Sequence, residues 1–374
     1  MEYVQERIAT LHEFGSTPQV EDVEGALAET AVVVPMTARE HGHPAAERVF
    51  SELEAVDPAA VFVPVRAPAG RIGSVRSWLE SFDLTLTVLW CGAPAIEELL
   101  ATAGLDDGFG KGRDVWLALG PAAQAHEYVV VHDADARSYE REHVARLLAP
   151  LTDGFEFAKG YYARVEDETL YGRLFRLFYE PLVRAIARRH DEPIVSYLES
   201  FRYALAGEFA ASADLINRLR PPRAWGLEVG TLGDAFEYAG FAGTAQVDLG
   251  RHEHDHRSVA GDDGLEGMSR EVAAELLRVF EERGVDPTYR TLPRRYVESG
   301  QRLIAQYEAD ARFNGFSYDS DAERDQLERY AEAIERPGPD RRLPRWVDAS
   351  IDQSTVLEAA QPSPAGRLES GTSD

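Results

Sequence analysis

The chain has 374 residues, and 39 Lys plus Arg stand against 65 Asp plus Glu, a formal charge of −26. Hydrophobic residues make up 44%, which excludes global disorder, while the acid excess argues against broad binding to nucleic acid or an anionic membrane. The single cysteine, Cys91, excludes an intramolecular disulfide and a cysteine-rich zinc site, and no apolar run approaches the ~20 residues of a membrane span.

Residues 1–30 read as a helix and linker, and their charged start lacks a signal-peptide core, so a cytoplasmic protein is expected. Ala31 to Pro35 (AVVVP) is a short buried strand ended by proline, which cannot donate to a ladder. Val61 to Val65 and Leu84 to Trp90 are further strands, and Ala95 to Ala103 reads as a helix. Tyr128 to Asp135 (YVVVHDAD) is a β-branched run ending in acids. Strand and helix signals alternate from Ala31 to about Leu151, the pattern of a parallel sheet with crossover helices.

Further on, Phe155 to Val165 alternates like a strand, and Leu170 to Arg189 is amphipathic at helical spacing, with a break expected at Pro181. Trp225 to Gly230 leads into a helix, and Thr244 to Gly250 reads as a strand. Ser269 to Glu282, Tyr296 to Phe313 and Ala322 to Ile334 carry apolar residues three and four apart. The chain thus divides into a helix and linker over 1–30, an α/β domain over 31–260, a helical extension over 261–352 and an acidic tail over 353–374, expected to be disordered.

Lysine occurs only at Lys111 and Lys159; every other basic residue is Arg. An acidic, lysine-poor surface suits a high-salt cytoplasm, where screening reduces self-repulsion, although a GC-rich genome also favours Arg. Two lysines kept in a chain that avoids them mark places for chemistry.

Asp133 and Asp135 follow the run Tyr128 to Val131. In an α/β sheet, ligands bind beyond the carboxyl ends of the strands, and two acids one residue apart there suit a hard divalent cation between protein and phosphate. An ordinary acidic turn is the alternative. Lys111, flanked by Gly110 and Gly112, opens a helix where backbone and ammonium can approach an anion. Lys159 and Arg164 lie in one strand signal; they face either a substrate phosphate or surface acids. His252, His254 and His256 share one face if extended, and one of them is expected to complete the site begun by the two acids.

Taken in order, VVVP, GKGRDVW, VVVHDAD, FAKGYYARV, GRLFRLFYEPLV, LAGEFA, WGLEVG and LGRHEHDH resemble the retaining nucleotide-sugar glycosyltransferases of the GT-A fold. They resemble in particular the glucosyl-3-phosphoglycerate synthases and their mannosyl counterparts, over roughly Ala31 to His256. The resemblance implies a Rossmann-like nucleotide-sugar sheet, Mg²⁺ or Mn²⁺ held by Asp133, Asp135 and His254, and a donor such as UDP-glucose or a GDP-hexose. It assigns Pro35, Glu40 and Lys111 to the donor, Glu228 beside the reacting sugar with Asp135 as its catalytic partner, and Arg173 to the acceptor's phosphate; Lys159 and Arg164 fall on the acceptor side. The acceptor implied is a small anion, 3-phosphoglycerate in the family, and a homodimer is left open. The chain has Trp90-Cys91-Gly92 where the family has an acidic strand end, and Phe175 where it has a threonine. A nucleotidyltransferase would carry a Gly-rich basic loop after the first strand, unlike Met36 to Gly42; a non-catalytic sugar-nucleotide binder is the other alternative.

Overall fold

The structure is a computed structural model and describes residues 6–12, 19–253 and 265–361. Strands form where β-branched residues run together: Val32, Val33, Val61, Val63, Val129 and Val130 are fully buried, as befits strands covered on both faces. The strands are β1 (Ala9–Leu11), β2 (Thr30–Val33), β3 (Met36–Thr37), β4 (Ala60–Arg66), β5 (Leu86–Trp90), β6 (Tyr128–Val131), β7 (Phe157–Ala163), β8 (Val165–Glu166), β9 (Thr169–Leu170), β10 (Phe209–Ser212) and β11 (Thr244–Arg251). The main sheet runs β1-β11-β7-β10-β6-β2-β4-β3, with β5 on β4; β8 and β9 form a separate hairpin. Only β10 runs antiparallel to its neighbours, so the expected mostly parallel α/β sheet is present.

The α-helices among the described residues are α1 (Glu24–Leu27), α2 (Pro44–Val56), α3 (Ala69–Leu79), α4 (Pro94–Thr102), α5 (Lys111–Ala125), α6 (Glu142–Thr152), α7 (Glu180–Ala187), α8 (Pro193–Glu199), α9 (Ala213–Ile216), α10 (Leu227–Tyr238), α11 (Leu265–Glu282), α12 (Leu292–Asn314), α13 (Ser320–Ala331) and α14 (Gln353–Ala359). From β2 the chain goes to β4 and β5 on one side, then returns to β6 on the other. The crevice at the carboxyl ends of β2 and β6 is therefore a topological switch point, where such sheets bind ligands.

Three expectations need correction. Where the start of the chain was read as helix and linker, Ala9–Leu11 is a strand, paired parallel to β11. The break at Pro181 does not occur, because a π-helical turn over Phe175–Tyr179 runs straight into α7. Proline removes a donor and crowds the carbonyl four residues back. That carbonyl, on Leu177, accepts instead from Tyr296 Oη at 2.5 Å. The tail does not begin at 353: α14 buries Val356, and Trp90 N donates to Ala360 O at 2.9 Å. Residues 362–374 lie outside the described residues.

The C-terminal extension is stitched to the sheet domain. Trp346 stacks on Trp116 with centroids 4.3 Å apart, and each indole N–H donates across the seam, Trp346 to Trp116 O and Trp116 to Pro344 O, both at 2.9 Å. Arg176, in the π-helical turn, grips Glu323 of α13 with bonds of 2.9 and 2.7 Å and donates to the carbonyls of Leu170 and Tyr171. Among the described residues, no helix is long and apolar enough to cross a membrane.

Candidate active site

Both lysines of the chain converge on one acidic cluster. Lys111 Nζ lies 2.6 Å from Asp133 Oδ1 and 3.4 Å from Glu228 Oε1. Burial works against the Lys111 charge, but Asp133 and then Glu228 outweigh it and raise the ammonium above its ordinary range. Lys159 is 1% exposed and donates to Ala206 O. Burial pushes it down to about 8, against the attraction of Glu228 and Glu208. Asp133 and Glu228 are therefore paired directly with Lys111, while Lys159, fixed by its bond to Ala206 O, feels Glu228 and Glu208 through space.

The backbone explains how these groups meet. Asp133 and Asp135, both half-buried, leave the carboxyl end of β6 at the switch point. Lys111 is the first residue of α5, as expected, but its glycines serve packing rather than an anion. A Cβ on Gly112 would come within 1.8 Å of Pro222 O, and one on Gly110 within 2.5 Å of the Ala224 Cα. Arg113 N also donates to Arg223 O at 2.9 Å, so the start of α5 is seated on the segment that leads into α10 and Glu228. Gly207 makes room for the acid pair: a Cβ there would lie 2.4 Å from Asp133 Oδ2. The next residue, Glu208, is buried and adds its charge beside both lysines.

The turn after β2 is braced from within. Glu40 Oε2 accepts from Thr37 N at 2.6 Å and from Thr37 Oγ1 at 2.7 Å, which closes the loop that begins at the half-buried Pro35. At the end of β5, where an acid was missing, the carbonyl of Cys91 accepts from Arg113 Nη2 at 3.0 Å, and the same guanidinium pairs with Glu97 at 2.9 Å. Arg66, at the end of β4, holds Asp114 at 2.8 Å through Nε.

The pairing of Lys159 with Arg164 is not found. Five residues apart on extended chain, they project to opposite sides. Lys159 goes under the acid cluster, while Arg164 joins Tyr203. Tyr203 belongs to an aromatic stack: His252 lies 4.1 Å from Tyr162, Tyr162 is 5.0 Å from Tyr203, and Tyr203 is 4.8 Å from Phe175. Phe175 is thus a core aromatic. Gly172 has φ 77°, which favours glycine, and a Cβ on it would stand 2.9 Å from the Tyr203 hydroxyl. Arg173, next in the chain, is exposed and makes no hydrogen bond or ion pair among the described residues. A cleft of about 440 Å³ lies beside the aromatic stack, lined by Arg164, Tyr171, Phe175, Arg202 and Tyr203; neither Arg173 nor Lys111, Asp133 and Glu228 lines it.

His254, the expected third metal ligand, lies outside the described residues, as does His256. The chain leading to it is pinned near the acids: Arg137 N donates to Glu253 O at 2.8 Å, and Glu253 N donates to Ser138 Oγ at 3.0 Å. Among the described residues no three His, Cys, Asp or Glu side chains form a cluster fit for a metal. The donor chemistry of Asp133 and Asp135, carboxylate oxygens in a pocket kept open by Gly207, fits a hard divalent cation. Glu208, Gly207 and the Arg176–Glu323 pair were not singled out from sequence; the LAGEFA segment was the available signal for the first two.

No protein-family model matches the chain. It is 32% identical to the glucosyl-3-phosphoglycerate synthase of Methanococcoides burtonii, over 93% of this chain and 94% of that protein. It is 34% identical to the enzyme of the same name from Persephonella marina, over 82% of this chain and 80% of the other. Among solved structures, it resembles glucosyl-3-phosphoglycerate synthase from Mycobacterium tuberculosis in complex with Mn²⁺, uridine diphosphate and phosphoglyceric acid. The TM-score is 0.56 and the identity 26%, covering 75% of this chain and 87% of that one. That enzyme is also solved with Mg²⁺ and uridine diphosphate. With a relative above 30% identity along nearly its whole length, and with the family's ordered segments folded around one acid-and-lysine cluster, the chain belongs to the glucosyl-3-phosphoglycerate synthase family.

Proposed function

We infer that the chain transfers the glucosyl group of UDP-glucose to 3-phosphoglycerate with retention at the anomeric carbon. The observation that carries this reading is the meeting of Lys111, Asp133 and Glu228 at the switch point. Mg²⁺ or Mn²⁺, held by Asp133 and Asp135 with His254, supplies Lewis-acid charge on the donor's diphosphate. Lys111 adds a positive group where leaving-group charge develops, which lowers the barrier because it is already in place. Pro35 and the Glu40-braced turn hold the nucleoside side. Arg173 grips the acceptor's phosphate with two parallel bonds.

In the reaction, the acceptor's free hydroxyl oxygen bonds to C1 of glucose as the bond from C1 to the β-phosphate oxygen breaks. The hydroxyl proton leaves with the departing phosphate, on the same face. Glu228 orients the acceptor and stabilises the oxocarbenium-like sugar. Lys159 does not touch the acceptor in this reading; it is a buried charge that steadies the acid cluster.

The cellular setting belongs to the same proposal: a high-salt cytoplasm, supported by the −26 charge and the two lysines. The unfolding midpoint should rise steadily between ~0.1 M and ~2 M KCl as the Debye length shrinks; a flat midpoint sinks the high-salt reading. A homodimer is also part of it, since β1 ends the sheet and an edge strand can pair with another chain; light scattering checks it. The activity is tested by a screen of UDP-glucose, GDP-glucose and GDP-mannose against 3-phosphoglycerate and uncharged acceptors, in high salt with Mn²⁺ or Mg²⁺. Metal-dependent turnover of UDP-glucose with 3-phosphoglycerate, and an α-linked product by NMR, is expected. A folded protein that binds UDP with metal yet turns over no pair overturns the reading.

A further inference from the structure

α11 meets α10 along a row of glycines. Gly226, Gly230 and Gly233 are spaced four and three apart, on one helical face, and α11 fills it. A Cβ on Gly226 would stand 3.2 Å from Glu275 Cβ, one on Gly230 3.4 Å from Glu275 Oε1, and one on Gly233 2.7 Å from Val279 Cγ2. Glu275 thus rests on the backbone two residues before Glu228 and two residues after it. An apolar side chain would suit such a crossing, yet this one is a carboxylate, 5% exposed, whose Oε1 accepts no hydrogen bond among the described residues. Burial pushes it up to about 7, with Arg342 and Arg278 pulling the other way. Arg342 Nη1 lies 3.4 Å from Oε1, and Arg278 Nε 3.5 Å from Oε2. Such a buried pair is weak evidence of stabilisation, since apolar residues of like volume would hold as well or better.

Arg342 belongs to a strap, residues 340–343, laid along the segment that leads into α10. Asp340 Oδ2 accepts from Arg220 Nη2 at 2.8 Å, Arg341 O accepts from Arg223 Nε at 2.8 Å, and Leu343 N donates to Pro221 O at 3.0 Å. The same segment seats the start of α5 through Gly110 and Gly112, so the strap supports both Lys111 and Glu228 from behind. At the near end, Trp225 N donates to Glu271 Oε2 at 2.9 Å, one turn of α11 before Glu275.

We propose that Glu275 and Arg342 are positioning residues for Glu228: their ion pair draws the C-terminal strap and α11 together across the start of α10 and so fixes the Glu228 carboxylate against the reacting sugar. Arg342 also pairs with Asp340 at 2.9 Å and with Glu282, so loss of the Glu275 charge loosens α10 without stranding a cation. This rests on the reading that Glu228 acts on the sugar and the acceptor.

The test is a double-mutant cycle in kcat. Glu275→Gln keeps the shape that fills the glycine row and deletes the charge. Assayed well below its unfolding midpoint, it should lower kcat about tenfold, the scale of a sub-ångström misplacement, and leave both KM values and UDP affinity with Mn²⁺ within about twofold of the parent. Glu228→Gln should lower kcat by ~10² or more, and long incubations with radiolabelled UDP-glucose read what remains. In that background Glu275→Gln should cost nothing further, because nothing is left to position. Arg342→Gln added to Glu275→Gln should also leave kcat where the single variant put it; a further fall removes Arg342 from the assignment. If Glu275→Gln leaves kcat unchanged, or lowers it by the same factor in the parent and in the Glu228→Gln background, the positioning role is overturned and the Glu228 reading stands. If Glu228→Gln turns over as fast as the parent, the Glu228 reading falls and the positioning role falls with it.

Discussion

Lys111 and Arg173, the cations proposed for donor and acceptor, carry their charges differently. Lys111 enters the site already paired, to Asp133 at 2.6 Å and Glu228 at 3.4 Å. Arg173 is exposed with no partner among the described residues. The difference matches what each side must do. The donor side gathers several carboxylates near Lys111 — Asp133, Glu208 and Glu228 — which would repel one another without an internal cation. The acceptor side needs positive charge available to an incoming anion, and a guanidinium tied to a surface acid would have to break that tie first. Arg176 and Arg164 are committed to Glu323 and Tyr203, so of these three arginines only Arg173 has its charge uncommitted among the described residues.

The comparison breaks most completely at the acid pair. Asp135→Ala should abolish metal-dependent UDP binding by calorimetry and lower kcat by ~10³ or more, the scale of losing a preorganised electrostatic contact. The fold should survive, because Asp135 is half-buried after the end of β6 and lies outside the hydrophobic core. A variant that still binds UDP only with metal, as tightly as the parent, removes Asp135 from the donor side.

Glu323→Gln comes next. It leaves the buried Arg176 guanidinium uncompensated, and breaking such a pair costs ~3–5 kcal/mol. Arg176 also holds the Leu170 and Tyr171 carbonyls, so the turn before Arg173 should loosen. Urea unfolding should show the stability loss, and the acceptor KM should rise more than the donor KM. Equal shifts in both KM values would mean that the pair steadies the whole molecule rather than the acceptor side.

The sheet and the acid pair were legible because they are local: β-branched runs, turn residues and the two acids lie in single segments. The place of Lys111 at the start of α5 was legible for the same reason. What sequence reasoning could not supply was the three-dimensional bookkeeping. Lys159 was expected beside Arg164, facing either a substrate phosphate or surface acids, and only the pairing of β7 with β10 and β11 brings it near Glu228 and Glu208. Gly110 and Gly112 looked like an anion cradle, but the segment that fills the space beside them comes from over a hundred residues away. Pro181 looked like a break because the Tyr296 hydroxyl that satisfies the Leu177 carbonyl lies on another helix. The polar, proline-bearing stretch after Gln353 hid a short helix whose buried Val356 packs on the domain.

Arg173→Lys sharpens the acceptor half. Lysine keeps the charge and loses the planar fork, so the acceptor KM should rise about tenfold or more, ~1.5–3 kcal/mol, while the donor KM stays nearly constant. An Arg173 that matters only to the surface would leave both KM values unmoved.

The smallest effect distinguishes the two lysines through pH. Lys159 titrates at about 8 in the fold, because burial lowers it from its ordinary 10.5. Below pH 8 it is charged in both folded and unfolded chains, and the fold bears the whole cost of holding that charge out of water. Between pH 8 and 10.5 the folded protein sheds the proton while the unfolded chain keeps it. The unfolded state then binds more protons, so stability rises with pH across this window. Lys111 behaves oppositely: its folded value is raised, so its contribution is intact throughout this window and is lost only at more alkaline pH. Lys159→Met removes the first effect and leaves the second. Cys91, whose thiol burial pushes up, weakens the fold as the unfolded thiol ionises, but equally in both proteins. Urea unfolding from pH 7.5 to 9.5 should therefore show the parent gaining ~2 kcal/mol relative to Lys159→Met. Parallel pH profiles would mean that Lys159 stays charged in the fold, held by Glu208 and Glu228, and that the acid cluster has two permanent cations rather than one.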